Sequence, residues 1–164
     1  MIKIETMSID QQVAFYLGLS ENILPLLKES EYFEDARKAI DLCWEWLEDK
    51  EVTGDEIYYT LDDGTEFAGL FMQMQMDEVP ENEDKWECIV SAVSFVDKQA
   101  YIQNKEPYLP APIENIDDTL LQYFLDCYNN VMVDGEERIK SLYEFVVSKD
   151  GPSKSDILSF IAKN

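Results

Sequence analysis

Apolar residues return at helical spacing along almost the whole chain. Ala36, Ala39, Ile40, Cys43 and Leu47 follow the i, i+3, i+4, i+7 pattern, with Glu34, Lys38, Asp41, Glu45 and Glu48 between them. An α-helix turns once per 3.6 residues, so these side chains form a single stripe that has to be buried against another element. The spacing predicts a helix over about 31–49, with Trp44 and Trp46 flanking the stripe and at least one of them at its edge.

The punctuation agrees. Ser8 with Gln11, Thr53 with Glu56, and Ser153 with Asp156 have the three-residue spacing of reciprocal N-terminal caps. The first opens a helix carrying Ile9, Val13, Tyr16, Leu17, Leu24 and Leu27 on one face, and Pro25 should kink or restart it. The second opens a short helix with Ile57, Tyr58 and Leu61, which Asp62-Asp63-Gly64-Thr65 ends in a turn. From Glu66 to Met76 the pattern has two readings. Phe67, Leu70, Phe71 and Met74 suit a helix, whereas Met72, Met74 and Met76 alternate as in a strand. Helix is preferred, because a lone strand has no partner here.

After a loop at Val79-Pro80-Glu81, a long helix uses Trp86, Ile89, Val90, Val93, Val96 and Ala100. The run Pro107 to Pro112 reads as loop, since proline favours an extended residue before it. Three helices remain: Leu121, Phe124, Leu125 and Tyr128; Ile139, Leu142, Tyr143 and Val146 after Gly135; and Ile157, Leu158 and Ile161 after the stop at Asp150-Gly151-Pro152. The expected fold is all-α, a single compact domain over residues 1–164 with about seven or eight helices. No repeat of fixed period points to a solenoid.

Charge is the second constraint. The 13 basic and 35 acidic residues leave a net charge of −22. Such a chain repels phosphate and anionic lipid and attracts cationic partners. The excess is clustered. Between Glu45 and Glu87 there are 15 acidic residues and two basic ones, a net of −13, whereas from Asp134 onward the net is −1. A uniform solubilising coat would be spread evenly. The expected partner-binding face comprises Asp55, Glu56, Asp62, Asp63, Glu66, Asp77, Glu78, Glu81, Glu83 and Asp84, with Tyr58, Tyr59 and Trp86 as aromatic anchors. Large aromatics at the edge of a charged face supply contact area at small entropic cost.

Several chemistries are excluded or unsupported. The chain has no histidine, which removes Ser-His-Asp and Cys-His mechanisms and the commonest metal ligand. Asp62-Asp63-Gly64 and Asp134-Gly135-Glu136-Glu137 lack the ligand spacing of calcium loops, so no metal is expected. No glycine-rich phosphate loop or nucleophile elbow occurs, and no cofactor is implied. Cys43, Cys88 and Cys127 are too few and too widely spaced for a disulfide framework, and fit reduced core thiols in the cytoplasm. The N-terminus has no apolar signal segment, and no run is long enough to span a membrane. Basic patches are missing, so nucleic acid is not a direct partner.

Three stretches carry a resemblance. They are Leu19 to Leu27 (LSENILPLL), Ala39 to Leu47 (AIDLCWEWL), and Tyr108-Leu109-Pro110 followed by Asp117-Asp118. In order and spacing, over about residues 10–130, the chain resembles the Imm6 family of immunity proteins of bacterial polymorphic toxin systems. The resemblance implies a small helical protein that binds and blocks the C-terminal domain of a cognate toxin in the cytoplasm. The residues themselves add that it acts without catalysis, since catalytic groups are missing, and that it is a monomer, since its outer faces are mostly polar. It supplies no interface residues; the matched residues read as structural. A basic, nuclease-like toxin would suit the acidic face. Other readings are a nucleic-acid mimic that inhibits a DNA-binding enzyme, an enzyme with a carboxylate pair, and a helical adaptor.

Overall fold

The computed structural model describes residues 2–164. Among them are nine α-helices: α1 (Ile9–Ile23), α2 (Phe33–Asp49), α3 (Gly54–Leu61), α4 (Leu70–Met76), α5 (Glu83–Gln103), α6 (Ala111–Glu114), α7 (Leu120–Val131), α8 (Gly135–Val147) and α9 (Lys154–Lys163). Short 3-10 turns lie at Ile4–Thr6, Leu24–Leu27 and Pro80–Asn82. Among the described residues there is no strand, so the fold is all-α, as expected.

α5 is the axis. It packs against α1, α2, α3, α4 and α7. Accordingly its buried residues run almost all round it, including Trp86, Ile89, Ala92, Val93, Val96 and Ala100. A helix buried on most of its circumference belongs at the centre of a bundle. Tyr16 on α1 stacks on Phe95 of α5, with ring centroids 4.4 Å apart, and leans on Phe124 of α7 at 4.9 Å. The buried apolar side chains form one contiguous cluster from Met7 to Ile157.

All three capping boxes form, at Ser8, Thr53 and Ser153. Each side-chain oxygen accepts from an N–H that the first helical turn leaves unpaired, an effect of about 1 kcal/mol. Pro25 ends α1 and opens the Leu24–Leu27 turn, as its missing N–H requires.

The structure corrects three expectations. Ile9 does not join the stripe of α1; it is exposed. Trp44 and Trp46, which flank the stripe of α2, are both buried with it. The helix expected from Glu66 begins only at Leu70. There Asp63 accepts from the N–H and hydroxyl of Thr65, and Ala68 N–H donates to Thr65 Oγ1, so side chains hold these groups outside any helix. Gly69 has φ +90° and lies so close to α3 that a Cβ would come within 2.6 Å of Leu61 O. Only glycine fits this approach, and the helix starts after it. Lastly, the Pro107–Pro112 run is not all loop, because Pro112 sits in the first turn of α6. Proline is tolerated there, since the N–H it lacks would have had no intrahelical partner.

Candidate functional site

Much of the acidic stretch folds into α3, α4, the Pro80–Asn82 turn and the start of α5; α3 and α4 pack along α5, from Tyr101 near its C-terminal end to Trp86 near its N-terminal end. The expected face is thus built from short consecutive elements. Its carboxylates fall into two groups.

One group is engaged in local structure. Asp55 accepts a 2.7 Å hydrogen bond from the hydroxyl of Tyr101, whose ring lies against Gly54. Glu56 closes the cap at Thr53. Asp62 accepts from Gly64 N–H at 2.9 Å, and Asp63 accepts from Thr65. Asp77 accepts from Val79 N–H at 3.0 Å, Asn82 Nδ2 at 2.9 Å and Trp86 Nε1 at 2.7 Å. Desolvation pushes the Asp77 carboxyl up, but these donors outweigh it and hold the group below the usual carboxylate range. The Thr65 donors also hold the carboxyl of half-buried Asp63 below that range.

The other group comprises Glu66, Glu78, Glu81, Glu83 and Asp84. None of the five forms a salt bridge among the described residues. All but Asp84 are exposed, and Asp84 is half-buried. These charges project a negative field with little internal compensation.

The aromatic anchors separate as well. Tyr59 is 66% exposed. Tyr58 is half-buried and meets Phe71 edge-on, with centroids 6.3 Å apart. Trp86 lies in the core, with its indole N–H tied to Asp77, so it offers no surface to a partner. Reading the sequence missed Phe67, which is 70% exposed in the loop before α4. Its spacing with Leu70, Phe71 and Met74 suits a helix, and the position of Gly69 leaves it outside one.

Among the described residues no group of three or more His, Cys, Asp or Glu side chains is placed to hold a metal ion. No helix of the described chain is long and apolar enough to cross a membrane. The three cysteines are free and buried; burial raises their thiols, Cys127 to about 12.

Fold and composition together define an all-helical protein whose acidic residues are concentrated in one stretch of its sequence. A family model described as immunity protein Imm6 matches residues 11–131. The chain belongs to the Imm6 family, as the resemblance implied, and membership implies an immunity protein acting against a toxin. No curated protein and no solved structure matches it.

Proposed function

We propose that this protein is the cytoplasmic antidote to a basic, nuclease-like C-terminal toxin domain of a polymorphic toxin system. It acts as a single-domain monomer, by binding, without a reaction or cofactor of its own and without touching nucleic acid. The observation that carries the reading is the net of −13 between Glu45 and Glu87, on a chain whose C-terminal region is nearly neutral. A nuclease cleft is basic because it holds phosphate, and an acidic face can occupy or flank it. Attraction over the ~8 Å Debye length of physiological salt speeds capture and orients the partner. Exposed Tyr59 and Phe67 supply apolar contact area from the same stretch of chain as the free carboxylates Glu66, Glu81 and Glu83.

The test is survival. The C-terminal domain encoded by the neighbouring toxin gene is expressed in a test bacterium with and without this protein. Rescue together with a stable one-to-one complex is the expected result. Changing Glu66, Glu81 and Glu83 to Lys should then slow association by about tenfold or more at low salt. An unchanged rate would remove the acidic face from the mechanism. Inhibition of several unrelated DNA-binding enzymes would instead favour the mimic reading.

A further inference from the structure

Exposed apolar side chains from the turn after α1 and from the acidic stretch line a common groove. The Leu24–Leu27 turn buries Leu24 and Leu27 and so turns Leu26 outward. From the other side, the end of α4 and the residues before the Pro80–Asn82 turn bring up Met76 and Val79. Leu26 is 47% exposed, Met76 36% and Val79 49%. With half-buried Tyr32 they line one open groove.

The rest of the groove wall carries Glu29, Glu31, Asp77 and Glu78, and no Lys or Arg lines it. Asp77 holds the wall together through its bonds to Val79, Asn82 and Trp86. Glu29, Glu31 and Glu78 are exposed and form no salt bridge among the described residues. Lys85, on the first turn of α5, is turned to Asn82 Oδ1 at 3.1 Å. Two of the three free carboxylates, Glu29 and Glu31, come from outside the acidic stretch. Folding has therefore extended the charged face onto an element that the charge count alone does not mark.

Apolar side chains left in water beneath uncompensated negative charge match one kind of occupant. A purely cationic ligand would leave Leu26, Met76 and Val79 wet, and a neutral apolar one would leave the carboxylates without partners while drying their surroundings. A second copy of this chain would bring a net charge of −22 against the same carboxylates. We propose that the groove receives a cationic amphipathic segment of the toxin domain. An apolar side chain of that segment lies against Leu26 and Val79, and its Lys or Arg residues meet Glu29, Glu31 and Glu78. The inference rests on the immunity reading and locates, on this chain, where apolar contact and charge act together.

The probe is the purified C-terminal domain of the neighbouring toxin, with binding kinetics measured at low and high salt. The double variant Leu26→Ser, Val79→Ser should weaken binding about tenfold or more at both salts, through faster dissociation. The triple variant Glu29→Lys, Glu31→Lys, Glu78→Lys should weaken it about tenfold or more at low salt, through slower association, with the loss shrinking at high salt. All five positions are exposed, so both variants should melt like the wild type. The control Glu136→Lys, Glu144→Lys, on exposed positions of α8, should stay within about twofold. If both groove variants bind like the wild type while the Glu66, Glu81 and Glu83 reversals still weaken binding, the groove is overturned and the immunity reading stands. If the wild type does not bind the toxin domain, the immunity reading falls, and the groove's occupant with it. A dimer of this chain that the double variant abolishes would overturn the proposal in favour of self-association.

Discussion

Glu21 on α1 and Asp97 on α5 are carboxyl groups drawn into the same bundle, with opposite surroundings. In the seam between α1 and α2, Glu21 accepts from Arg37 Nη1 at 2.9 Å, Arg37 Nη2 at 2.6 Å and Trp44 Nε1 at 2.8 Å. The guanidinium is held in turn by Asp41 at 2.7 Å. Where α5 meets α3, Asp97 is fully buried and neither of its oxygens has a hydrogen-bond partner. Desolvation, and then the nearby charge of Asp55, push its carboxyl up to about 8. The first seam keeps a charge indoors by surrounding it with donors; the second keeps the carboxyl by letting it hold its proton. The contrast teaches that in this protein an acidic residue is not equivalent to a negative charge. The formal −22 counts Asp97, which at neutral pH is mostly uncharged.

The largest expected effect tests the unpaired side. The folded state holds the Asp97 proton up to about pH 8, whereas the unfolded chain releases it near pH 4. Between those values the unfolded state binds fewer protons, so stability falls as pH rises and levels off above about 8. Urea unfolding of wild type and Asp97→Asn should show this loss in the wild type alone, at about 1.4 kcal/mol per pH unit within that window. Parallel pH profiles would mean that Asp97 ionises freely, and the comparison would collapse.

Next in size is the paired side. Arg37→Met strips Glu21 of its counter-charge and two donors. Loss of one partner of a fully buried pair costs about 3–5 kcal/mol. The Arg37 side chain keeps 27% of its exposure and Glu21 10%, so about 2 kcal/mol is expected in the same assay. A loss below about 0.5 kcal/mol would reduce the seam to an ordinary surface ion pair.

The smallest effect uses two tryptophans of one helix. Trp44 donates to Glu21, whereas buried Trp46 Nε1 has no partner. Replacing each by Phe removes similar volume, but only Trp44→Phe breaks a bond to a charged acceptor. It should cost about 1–2 kcal/mol more than Trp46→Phe. Equal melting midpoints would show that the Glu21 bond contributes nothing to stability.

Most of the fold was legible in the sequence, because helix periodicity and caps are local signals. Ser8, Thr53 and Ser153 each fix a start from within a few residues. What escaped depends on tertiary approach. Gly69 delays α4 because it presses on Leu61, a contact between segments that the sequence does not pair. Trp86 carried two signals, a place in an acidic stretch and a place in the apolar stripe with Ile89, Val90 and Val93, and the stripe decides its burial. The candidate face was legible as a charge count. Which carboxylates are free was not, since that depends on donors such as Tyr101, 46 residues from Asp55. Glu29 and Glu31 sit beyond the cluster and reach the groove only through the turn at Pro25.

Gly18 on α1 has a consequence for how far this protein can be dissected. A Cβ there would lie 2.8 Å from Leu142 on α8 and 3.0 Å from Ile157 on α9. Nearby, Phe15 meets the ring of Tyr143 edge-on, and Gln11 donates to the carbonyl of Lys149 at 2.8 Å. The family match stops at residue 131, yet all of these partners lie past it. A minimal protein cut at that border would lose the roof over α1 and present its apolar side chains to the next molecule. Grafting a different tail onto the shared part meets the same constraint from the other direction. Any substitute must bring a bulky side chain to the notch at position 18, or the glycine must be changed along with it.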